Sequence, residues 1–369
     1  MPCLLNAAAT AAGALALTVN ALAGTTIQET DLFDNRGTPI QRVWLEYRPD
    51  GLDPNGFHPV VVVLHPGAST PANIQLASRW DDVADEHGLI VLYPAANSGS
   101  APVPSQWNVW DFDGAPETIL PENVRNRDDA GFLDQIIQRT VGRAQFAGDP
   151  ARVYMTGFSS GAQMTSSYAG TGRTNVAAYA PVSGGWCEPC DVPDEFFTPA
   201  AATRLWYWRG ETEGGLTPCG VSRDIHDELQ RQFWIDFNAV NPTPTQDVRD
   251  VIALNPANGQ QIQVTHVTDL YTGGNAEFRF TVVLQSGHLY QPGAAKRIWE
   301  EFFDGELAPL PCLGDANNDQ SVSFSDIAEV LANLGSNGPD FGPGDATGDG
   351  AVNFSDITAV LGNLGDQCP

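Results

Sequence analysis

The stretch from Arg152 to Met164 constrains the fold of this chain more than any other. It reads as an apolar, β-prone run, then G-x-S-x-G centred on Ser159, then small residues that suit a helix. Strand, sharp turn and helix in that order are typical of a nucleophile elbow, with the serine at the apex. Gly157 and Gly161 remove side chains where such a turn packs against its neighbours. The pattern therefore predicts a nucleophilic Ser159 rather than an ordinary small-residue turn.

Apolar runs alternate with helical periodicity on both sides of this turn. Strands that alternate with helices form a mostly parallel sheet with helices packed on it. We therefore expect an α/β fold with a mostly parallel central sheet over residues 24–305. The predicted strands are 43–47, 60–64, 89–93, 176–182, 205–208 and 280–284, and the predicted helices are 72–86, 128–141 and 295–303.

A serine nucleophile needs a histidine base, which follows the serine along the chain in hydrolases with this elbow. His288 comes directly after the strand 280–284, in a loop at the strand's carboxyl end, where α/β sheets place their active sites. His266 lies within an alternating run and is expected on a sheet face, and His226 lies in a charged helical stretch and is expected to be solvated. We therefore expect His288 to be the base.

The acid that supports this histidine is expected in the loop after strand 205–208. Glu211 and Glu213 both lie there, and either could orient the imidazole and stabilise its positive charge. Asp224 is a third candidate, and a solvated acidic loop is the ordinary alternative in a chain with 45 acidic residues. Of the three carboxylates we favour Glu213.

The oxyanion of an acyl-transfer reaction needs two backbone N–H donors. One is expected from Ser160, and the other from the loop that follows strand 60–64. Pro66 has no N–H and cannot serve. Gly67 or Ala68 is therefore the expected second donor.

Tryptophan rings offer broad apolar faces on which a substrate can lie. Trp107, Trp110 and Trp186 lie in segments rich in turn-forming residues and are the expected substrate-binding positions. Trp206 and Trp208 lie on a predicted strand, so we expect them in the core.

Four motifs in order carry a resemblance to a known group of enzymes: the strand VVVLHPGAS, the helix RDDAGFLDQII, the elbow RVYMTGFSSGAQM and the loop SGHLYQPG. Together they resemble the secreted poly(3-hydroxybutyrate) depolymerase and feruloyl esterase group of α/β-hydrolases, over roughly residues 26–304. The resemblance implies Ser159 as nucleophile, His288 as base and Glu213 at the acid position. The group usually has Asp at that position, and Gly where this chain has Pro66.

The resemblance also implies the reaction, which is hydrolysis of esters of extracellular polymers without a catalytic cofactor. The favoured substrates are feruloyl or acetyl esters of plant polysaccharide, and the alternative is poly(3-hydroxybutyrate). A non-catalytic scaffold or binding protein that kept the fold is a rival of another class. A hydrolase that had lost its activity would be expected to lose Ser159 or His288, and both are present.

A twelve-residue loop followed by a helical stretch occurs twice near the C-terminus, thirty residues apart. Each loop places oxygen ligands as a calcium site requires, with Asp in place of the usual Glu at position twelve. An acidic disordered tail is the ordinary alternative. The expected Ca²⁺ ligands are Asp315, Asn317, Asp319, Ser321, Ser323 and Asp326 in the first loop, and Asp345, Thr347, Asp349, Ala351, Asn353 and Asp356 in the second, with Ser321 and Ala351 acting through their carbonyls.

The repeat resembles a dockerin over residues 314–366. Leu331, Leu334, Leu361 and Leu364 are expected to pack behind the loops. The resemblance implies two structural Ca²⁺ sites in a small all-α domain, residues 314–369, after a linker at 306–313. It also implies a cohesin-type protein as a candidate partner.

Residues 1–23 are apolar, rich in small residues, and end in an A-x-A-like cleavage signal. They are predicted to be a signal peptide, with a buried first helix as the alternative, and are too short and Ala-rich for a membrane anchor. We therefore expect a secreted or periplasmic protein. The formal net charge of −27 argues against nucleic acid or an anionic membrane as partner.

Export would make disulfide bonds permissible, and cleavage would leave five cysteines, enough for at most two bridges. Cys312 and Cys368 flank the C-terminal repeat and suggest one bridge. The other would lie among Cys187, Cys190 and Cys219, and their spacing does not decide which two pair.

Overall fold

The structure is a computed structural model, and it describes residues 24–35, 37–96, 106–109, 127–185, 199, 203–215, 222–256, 258–303, 314, 316–317, 322–336, 344–347 and 351–364. The predicted signal peptide, the predicted linker at 306–313 and all six cysteines lie outside these residues. None of the helices in these ranges is long and apolar enough to cross a membrane.

Ten strands of the described residues form one sheet, in the order β1-β2-β4-β3-β5-β6-β7-β10-β9-β8. The six strands from β4 to β10 in this order pair in parallel. Antiparallel strands extend both edges. The expected mostly parallel central sheet is thus confirmed. The strands are β1 (Thr25–Asn35), β2 (Thr38–Arg48), β3 (Phe57–Leu64), β4 (Ile90–Pro94), β5 (Ala147–Phe158), β6 (Ala178–Val182), β7 (Leu205–Gly210), β8 (Thr245–Leu254), β9 (Gln261–Tyr271) and β10 (Phe278–Val283).

The helices within residues 24–303 pack on both faces of this sheet. They are α1 (Pro71–Ser78), α2 (Trp80–His87), α3 (Asp129–Val141), α4 (Ser160–Ala169), α5 (Arg223–Phe237) and α6 (Ala294–Ile298), which continues as a π-helical turn, Trp299–Phe303. The single helix predicted at 72–86 is two helices. Arg79, which separates them, has a φ of 62° and so cannot continue α1.

Strand β3 shows why the central strands read as unbroken apolar runs. Val60, Val62 and Leu64 lie in the core that includes side chains of α3, α4 and α5. Val61 and Val63 point to the other face, into the core shared with α1, α2 and α6. Because successive side chains of a strand alternate between faces, a strand buried on both sides is apolar at every position.

The hairpin β8–β9 at one edge was not predicted as such. It carries polar residues on much of its surface, and β8 is exposed or partly exposed along its whole length. Strand β10 precedes the His288 loop and lies between this hairpin and β7. The hairpin therefore extends the sheet beyond the strand that carries the predicted base.

The C-terminal repeat has its own small core, built from two equivalent halves. Helices α7 (Phe324–Asn333) and α8 (Phe354–Gly362) each begin with a capping box. The N–H of Gly314 donates to the carbonyl of Ala346, and the N–H of Gly344 donates back to the carbonyl of Ala316. The buried core consists of Ala316, Val322, Val330, Ala346, Val352 and Val360, three pairs spaced by thirty residues.

One expectation for the repeat was wrong. Four leucines were expected behind the loops, but the structure places them on the surface, because the smaller valines and alanines already fill the core. The exposed leucines are Leu331, Leu334, Leu361 and Leu364.

Candidate active site

Ser159 stands between the last residue of β5 and the first residue of α4, with φ 54° and ψ −115°. This strained backbone conformation is typical of a nucleophile elbow. A Cβ at position 157 would lie 2.5 Å from the Gly161 carbonyl, and one at position 161 would lie 2.2 Å from the Leu64 carbonyl oxygen. Only glycine fits at either position, so the G-x-S-x-G pattern reports real crowding.

The structure brings Ser159, His288 and Glu213 into one hydrogen-bonded chain. The Oγ of Ser159 lies 2.9 Å from Nε2 of His288, and Nδ1 of His288 lies 3.1 Å from Oε2 of Glu213. The three residues follow β5, β10 and β7, whose carboxyl ends meet at one edge because β5, β6, β7 and β10 run parallel. The imidazole is 37% exposed and the carboxylate 3%, so solvent reaches the base and not the acid.

The other candidate acids are engaged elsewhere. Glu211 accepts the backbone N–H of Gln285, at 2.8 Å, and Asp224 pairs with Arg209 at 3.0 Å and is largely exposed. Glu213 is therefore the candidate whose carboxylate the structure places against His288.

Glu213 is held mainly through its other oxygen. Oε1 accepts hydrogen bonds from the Ser183 hydroxyl at 2.5 Å, the Gly210 N–H at 2.7 Å and the Gln291 amide at 3.1 Å. The sequence analysis did not find Ser183 or Gln291. The available signal was position, since Ser183 directly follows β6 and Gln291 lies three residues after His288.

The expected oxyanion loop follows β3 and packs against the elbow. A Cβ at Gly67 would lie 3.4 Å from Oγ of Ser160, and Ala68 has a φ of 56°. Ser160 is the first residue of α4, where backbone N–H groups lack an intrahelical acceptor. The loop and the helix N-terminus that were expected to supply the donors are thus neighbours.

Buried His65 orients this loop. Its Nε2 accepts the N–H of Ala96 at 3.0 Å, so its Nδ1 carries the proton and donates to the Pro66 carbonyl at 2.8 Å. Burial lowers the pKa of His65 to about 4, so the ring is neutral near pH 7. The Pro66 carbonyl and the Gly67 N–H belong to one planar peptide, so this bond also sets the direction of that N–H.

Trp107 does not form a substrate platform. Its side chain is fully buried, and its indole N–H donates to the carbonyl of His65 at 2.8 Å. It supports the oxyanion loop from inside, which corrects the expected substrate-binding role. Trp206 and Trp208 are buried, as expected. The other two candidate platforms, Trp110 and Trp186, lie outside the described residues.

The two remaining histidines after the elbow are both buried. The solvated position expected for His226 was wrong, because α5 turns this residue inward. His266 lies on β9, with Nε2 2.9 Å from the Pro292 carbonyl. Its pKa is lowered to about 4, mainly because the ring is buried and also because the positive charge of Arg297 is close.

In the C-terminal repeat, oxygen atoms of the second loop converge. The Thr347 hydroxyl lies 3.3 Å from Oδ1 of Asp345 and 2.8 Å from Oδ1 of Asp356, and both aspartates are almost fully buried. In the first loop, Asp326 accepts the N–H groups of Asn317 and Ser323. The described candidate ligands also include Ala351 and Asn353, whereas Asp315, Asp319, Ser321 and Asp349 lie outside the described residues.

Comparison with known proteins gives relatives over part of the chain. No family model matches. Feruloyl esterase B of Thermothelomyces thermophilus is 32% identical over 173 residues, 47% of this chain and 53% of that protein. Poly(3-hydroxyalkanoate) depolymerase C of Paucimonas lemoignei is 27% identical over 263 residues, 63% of this chain and 58% of that protein. Acetylxylan esterase A of Aspergillus oryzae is 28% identical over 183 residues, which are 48% of this chain and 54% of that protein.

Among solved structures, the acetyl xylan esterase from Aspergillus awamori superposes with a TM-score of 0.52 at 19% identity. The match covers 77% of this chain and all of that one. The fold is α/β-hydrolase-like. The chain spans little more than half the length of each of the three sequence relatives, of which two are named as esterases and one as a depolymerase.

Proposed function

We propose that this protein is a serine carboxylic-ester hydrolase that acts on polymer esters, above all feruloyl or acetyl esters of plant polysaccharide. The observation that carries the proposal is the hydrogen-bonded chain from Ser159 through His288 to Glu213 at the carboxyl edge of the sheet. The feruloyl and acetylxylan esterases among the relatives support the same class of reaction and substrate.

The proposed reaction has two halves. As Oγ of Ser159 attacks the ester carbonyl carbon, Nε2 of His288 takes its proton and then passes it to the departing alcohol oxygen. Water next attacks the carbonyl carbon of the acyl-enzyme and loses a proton to Nε2 of His288. His288 then gives this proton to Oγ of Ser159 as the bond between that oxygen and the acyl group breaks and the acid product leaves. Ionised Glu213 stabilises the imidazolium throughout.

Each half passes through a tetrahedral intermediate with a negatively charged oxygen. The Ser160 N–H, together with that of Gly67 or Ala68, would stabilise this oxygen. Donors of this kind act only when the charge develops, so they lower the barrier rather than tighten substrate binding.

Hydrolysis of a short activated ester, such as p-nitrophenyl acetate, tests the activity. We expect turnover by the wild type and none above background by Ser159→Ala. Ser166→Ala, a buried serine of α4 whose Oγ has no hydrogen-bond partner among the described residues, is the matched control and should match the wild type. An inert wild type would favour a non-catalytic scaffold protein.

A polyester substrate is the second candidate, supported by the depolymerase relatives. The two substrates separate in one comparison of the purified chain. Release of ferulate or acetate from xylan supports the polysaccharide esterase, and clearing of a polyhydroxybutyrate suspension without acyl release from xylan supports the depolymerase.

We also propose that the C-terminal repeat binds two calcium ions. The donor set fits, because carboxylate, hydroxyl and carbonyl oxygens are what calcium prefers and those of Asp345, Thr347 and Asp356 converge. A bound ion would neutralise acidic loops in a segment that has nine acidic residues and no basic one from Cys312 onward. Calorimetric titration of the whole chain with calcium should show two sites.

The candidate partner of this repeat is a cohesin-type protein. Beyond the resemblance to a dockerin, paired exposed apolar side chains support a protein-binding role. Phe324 and Phe354 are each 73% exposed, and Leu331 and Leu361 each 55%. Calcium-dependent co-elution with a cohesin would support the partner, and its absence with calcium bound would reject that cohesin.

We further propose that the protein is exported and cleaved after Ala23. The apolar, small-residue N-terminus and its A-x-A-like end support this. N-terminal sequencing of the protein from its native host tests it: a mature chain that begins at Gly24 is expected, and a retained Met1 would reject cleavage.

A further inference from the structure

The side chain of Gln291 forms several hydrogen bonds around the proposed acid, although Gln291 has no assigned role in the reaction. Its side chain is 1% exposed, and its amide nitrogen lies 3.1 Å from Oε1 of Glu213 and 3.1 Å from Oγ of Ser183. The same nitrogen lies 3.0 Å from each of the Gly287 and Leu289 carbonyls. Because carbonyl and carboxylate oxygens only accept, the group that faces them is the amide NH₂.

The oxygen of the Gln291 amide is also engaged. It accepts the Ser286 hydroxyl at 2.6 Å, so the contacts on both ends of the amide agree on one orientation, with the NH₂ toward Glu213 and the oxygen toward Ser286. The side chain therefore links the loop that carries His288 to the carboxylate that His288 uses.

Ser183 supplies the shortest contact to the same oxygen. It directly follows β6 and is 1% exposed, and its φ of 57° is unusual for a residue other than glycine. Its N–H donates to the Trp208 carbonyl at 2.7 Å, and its hydroxyl donates to Oε1 of Glu213 at 2.5 Å. Its strained backbone thus directs a hydroxyl at the acid.

These donors decide which way the Glu213 carboxylate faces. With Oε1 bonded to Ser183, Gln291 and the Gly210 N–H, Oε2 is the oxygen presented to His288. A competing cation is close, since Nη1 of Arg223 lies 4.0 Å from Oε2. A second guanidinium, that of Arg209, donates to the backbone carbonyl of Glu213 at 3.4 Å and pairs with Asp224 and Asp227.

We propose that Gln291 and Ser183 are positioning residues that hold Glu213 against His288, an inference that rests on the proposed esterase activity. Without their hydrogen bonds the carboxylate turns toward Arg223 and His288 loses its anionic partner. The neutral imidazole then becomes relatively more stable than the imidazolium, and the base works less well.

Gln291→Met tests the proposal with an unbranched side chain of similar length that cannot hydrogen bond. We expect kcat to fall ~10- to 100-fold with KM within about twofold, because the contact acts on the base and not on the substrate. The acid limb of the pH profile of kcat/KM should move to lower pH. Gln263→Met, which changes an exposed glutamine of β9, is the matched control and should leave both quantities unchanged.

Gln291→Glu gives a pH-dependent readout that a structural role would not produce. The introduced carboxyl can donate to Glu213 only while it is protonated, and once ionised it repels the neighbouring carboxylate. We therefore expect kcat/KM to acquire a new alkaline limb, with most of the loss at high pH. A uniform loss at every pH would contradict the proposed hydrogen bond.

Ser183→Ala removes one of the three donors and should lower kcat less, ~10-fold, with Ser166→Ala as its control. Circular dichroism and tryptophan fluorescence establish that each variant is folded. An NMR titration of the His288 imidazole in wild type and in Gln291→Met adds a readout that does not need turnover, and its midpoint should fall in the variant.

The outcomes separate the inference from the function on which it rests. Wild-type hydrolysis combined with an unchanged kcat and acid limb in folded Gln291→Met overturns the positioning role and leaves the esterase standing. A shift of the limb or the NMR midpoint to higher pH also overturns it. A wild type that hydrolyses no ester overturns the proposed function, and the NMR titration alone then decides whether Gln291 positions Glu213.

Discussion

The proposed catalytic region, residues 24–303, and the C-terminal repeat build their candidate sites in opposite ways. Ser159 lies 129 residues from His288, and Glu213 lies 75 residues from it, so the sheet must form before these side chains meet. In the second loop of the repeat, Thr347 and Asp356 are nine residues apart. The candidate active site depends on tertiary structure, whereas the candidate calcium site is formed by residues of one short segment.

The two regions also treat charge differently. Around the elbow one buried carboxylate is surrounded by hydrogen-bond donors, and buried His65 stays neutral. The repeat has several acidic residues on each loop and no cation of its own from Cys312 onward. The buried Glu213 carboxylate therefore has its partners within the fold, whereas the repeat is expected to depend on added ions.

The largest expected effect is the loss of the nucleophile. Ser159→Ala should lower kcat ~10⁴- to 10⁶-fold in p-nitrophenyl acetate hydrolysis, because it removes the Oγ atom that would form the acyl-enzyme. His288→Ala should be nearly as damaging, and the double variant should lose little more, since the residues act as a unit. If the losses of kcat in the two single variants instead added up in the double variant, Ser159 and His288 would not act as one unit.

Next in size is the acid. Glu213→Gln keeps the volume but removes the charge that stabilises the imidazolium, and should cost ~10³- to 10⁴-fold in kcat. Glu211→Gln and Asp224→Asn should stay within a few-fold of wild type, because those carboxylates bind Gln285 and Arg209. Equal losses for Glu213 and Glu211, measured in the same assay, would contradict the observed loop register.

Calcium removal should act on the repeat alone. With a chelator we expect the repeat to lose packing and helical circular dichroism while ester hydrolysis continues, because the proposed reaction uses no metal. All nine tryptophans precede residue 304, so tryptophan fluorescence reports only the catalytic region and should not change. Asp345→Ala should abolish one of the two calorimetric calcium sites. Loss of esterase activity with the chelator would show that the regions depend on each other.

The smallest expected effect is a pH dependence confined to the catalytic region. Burial holds the pKa of His65 and His266 at about 4, against about 6.5 in an unfolded chain. Between these values the unfolded chain binds more protons, so the free energy of unfolding falls as pH drops from about 6.5 to about 4. The loss is on the order of 3 kcal/mol per histidine.

Urea unfolding followed by tryptophan fluorescence at pH 7 and pH 4.5 measures this dependence. His266→Gln should flatten it, and His87→Gln, which changes a partly exposed histidine of α2, is the control. The C-terminal repeat contains no histidine and should show no such contribution. If the free energy of unfolding fell by the same amount between pH 7 and pH 4.5 in wild type and in His266→Gln, His266 would not contribute to the pH dependence.

Several parts of the catalytic region could be predicted because they have local causes. Apolar runs in the sequence indicate the buried strands. Two glycines that no larger residue can replace indicate the elbow. His288 and Glu213 could be proposed because chain order and position after a strand are properties of sequence. The calcium-type loops are local in the same sense, since all their expected ligands lie within twelve residues.

What misled sequence reasoning was burial. Trp107 lies in a polar stretch and yet is fully enclosed, and His226 sits among charged neighbours and yet faces inward. Arg79, with a φ of 62°, breaks the single helix predicted at 72–86. The burial of Trp107 and His226 depends on residues far away in the sequence, and the break at Arg79 depends on its backbone conformation. The composition of the surrounding segment does not show either.

The sequence by itself predicted a serine at the apex of a strand–turn–helix elbow, the buried central strands, and the spacing of oxygen-bearing side chains in the repeat, because each depends on residues within a dozen positions. Only the tertiary structure decided which carboxylate faces His288 and what holds it there. Ser183 and Gln291 lie 30 and 78 residues from Glu213, and they become its partners only because parallel strands end at one edge of the sheet. Hydrogen bonds act over about 3 Å, so a long-range set of donors exists only once the fold has closed.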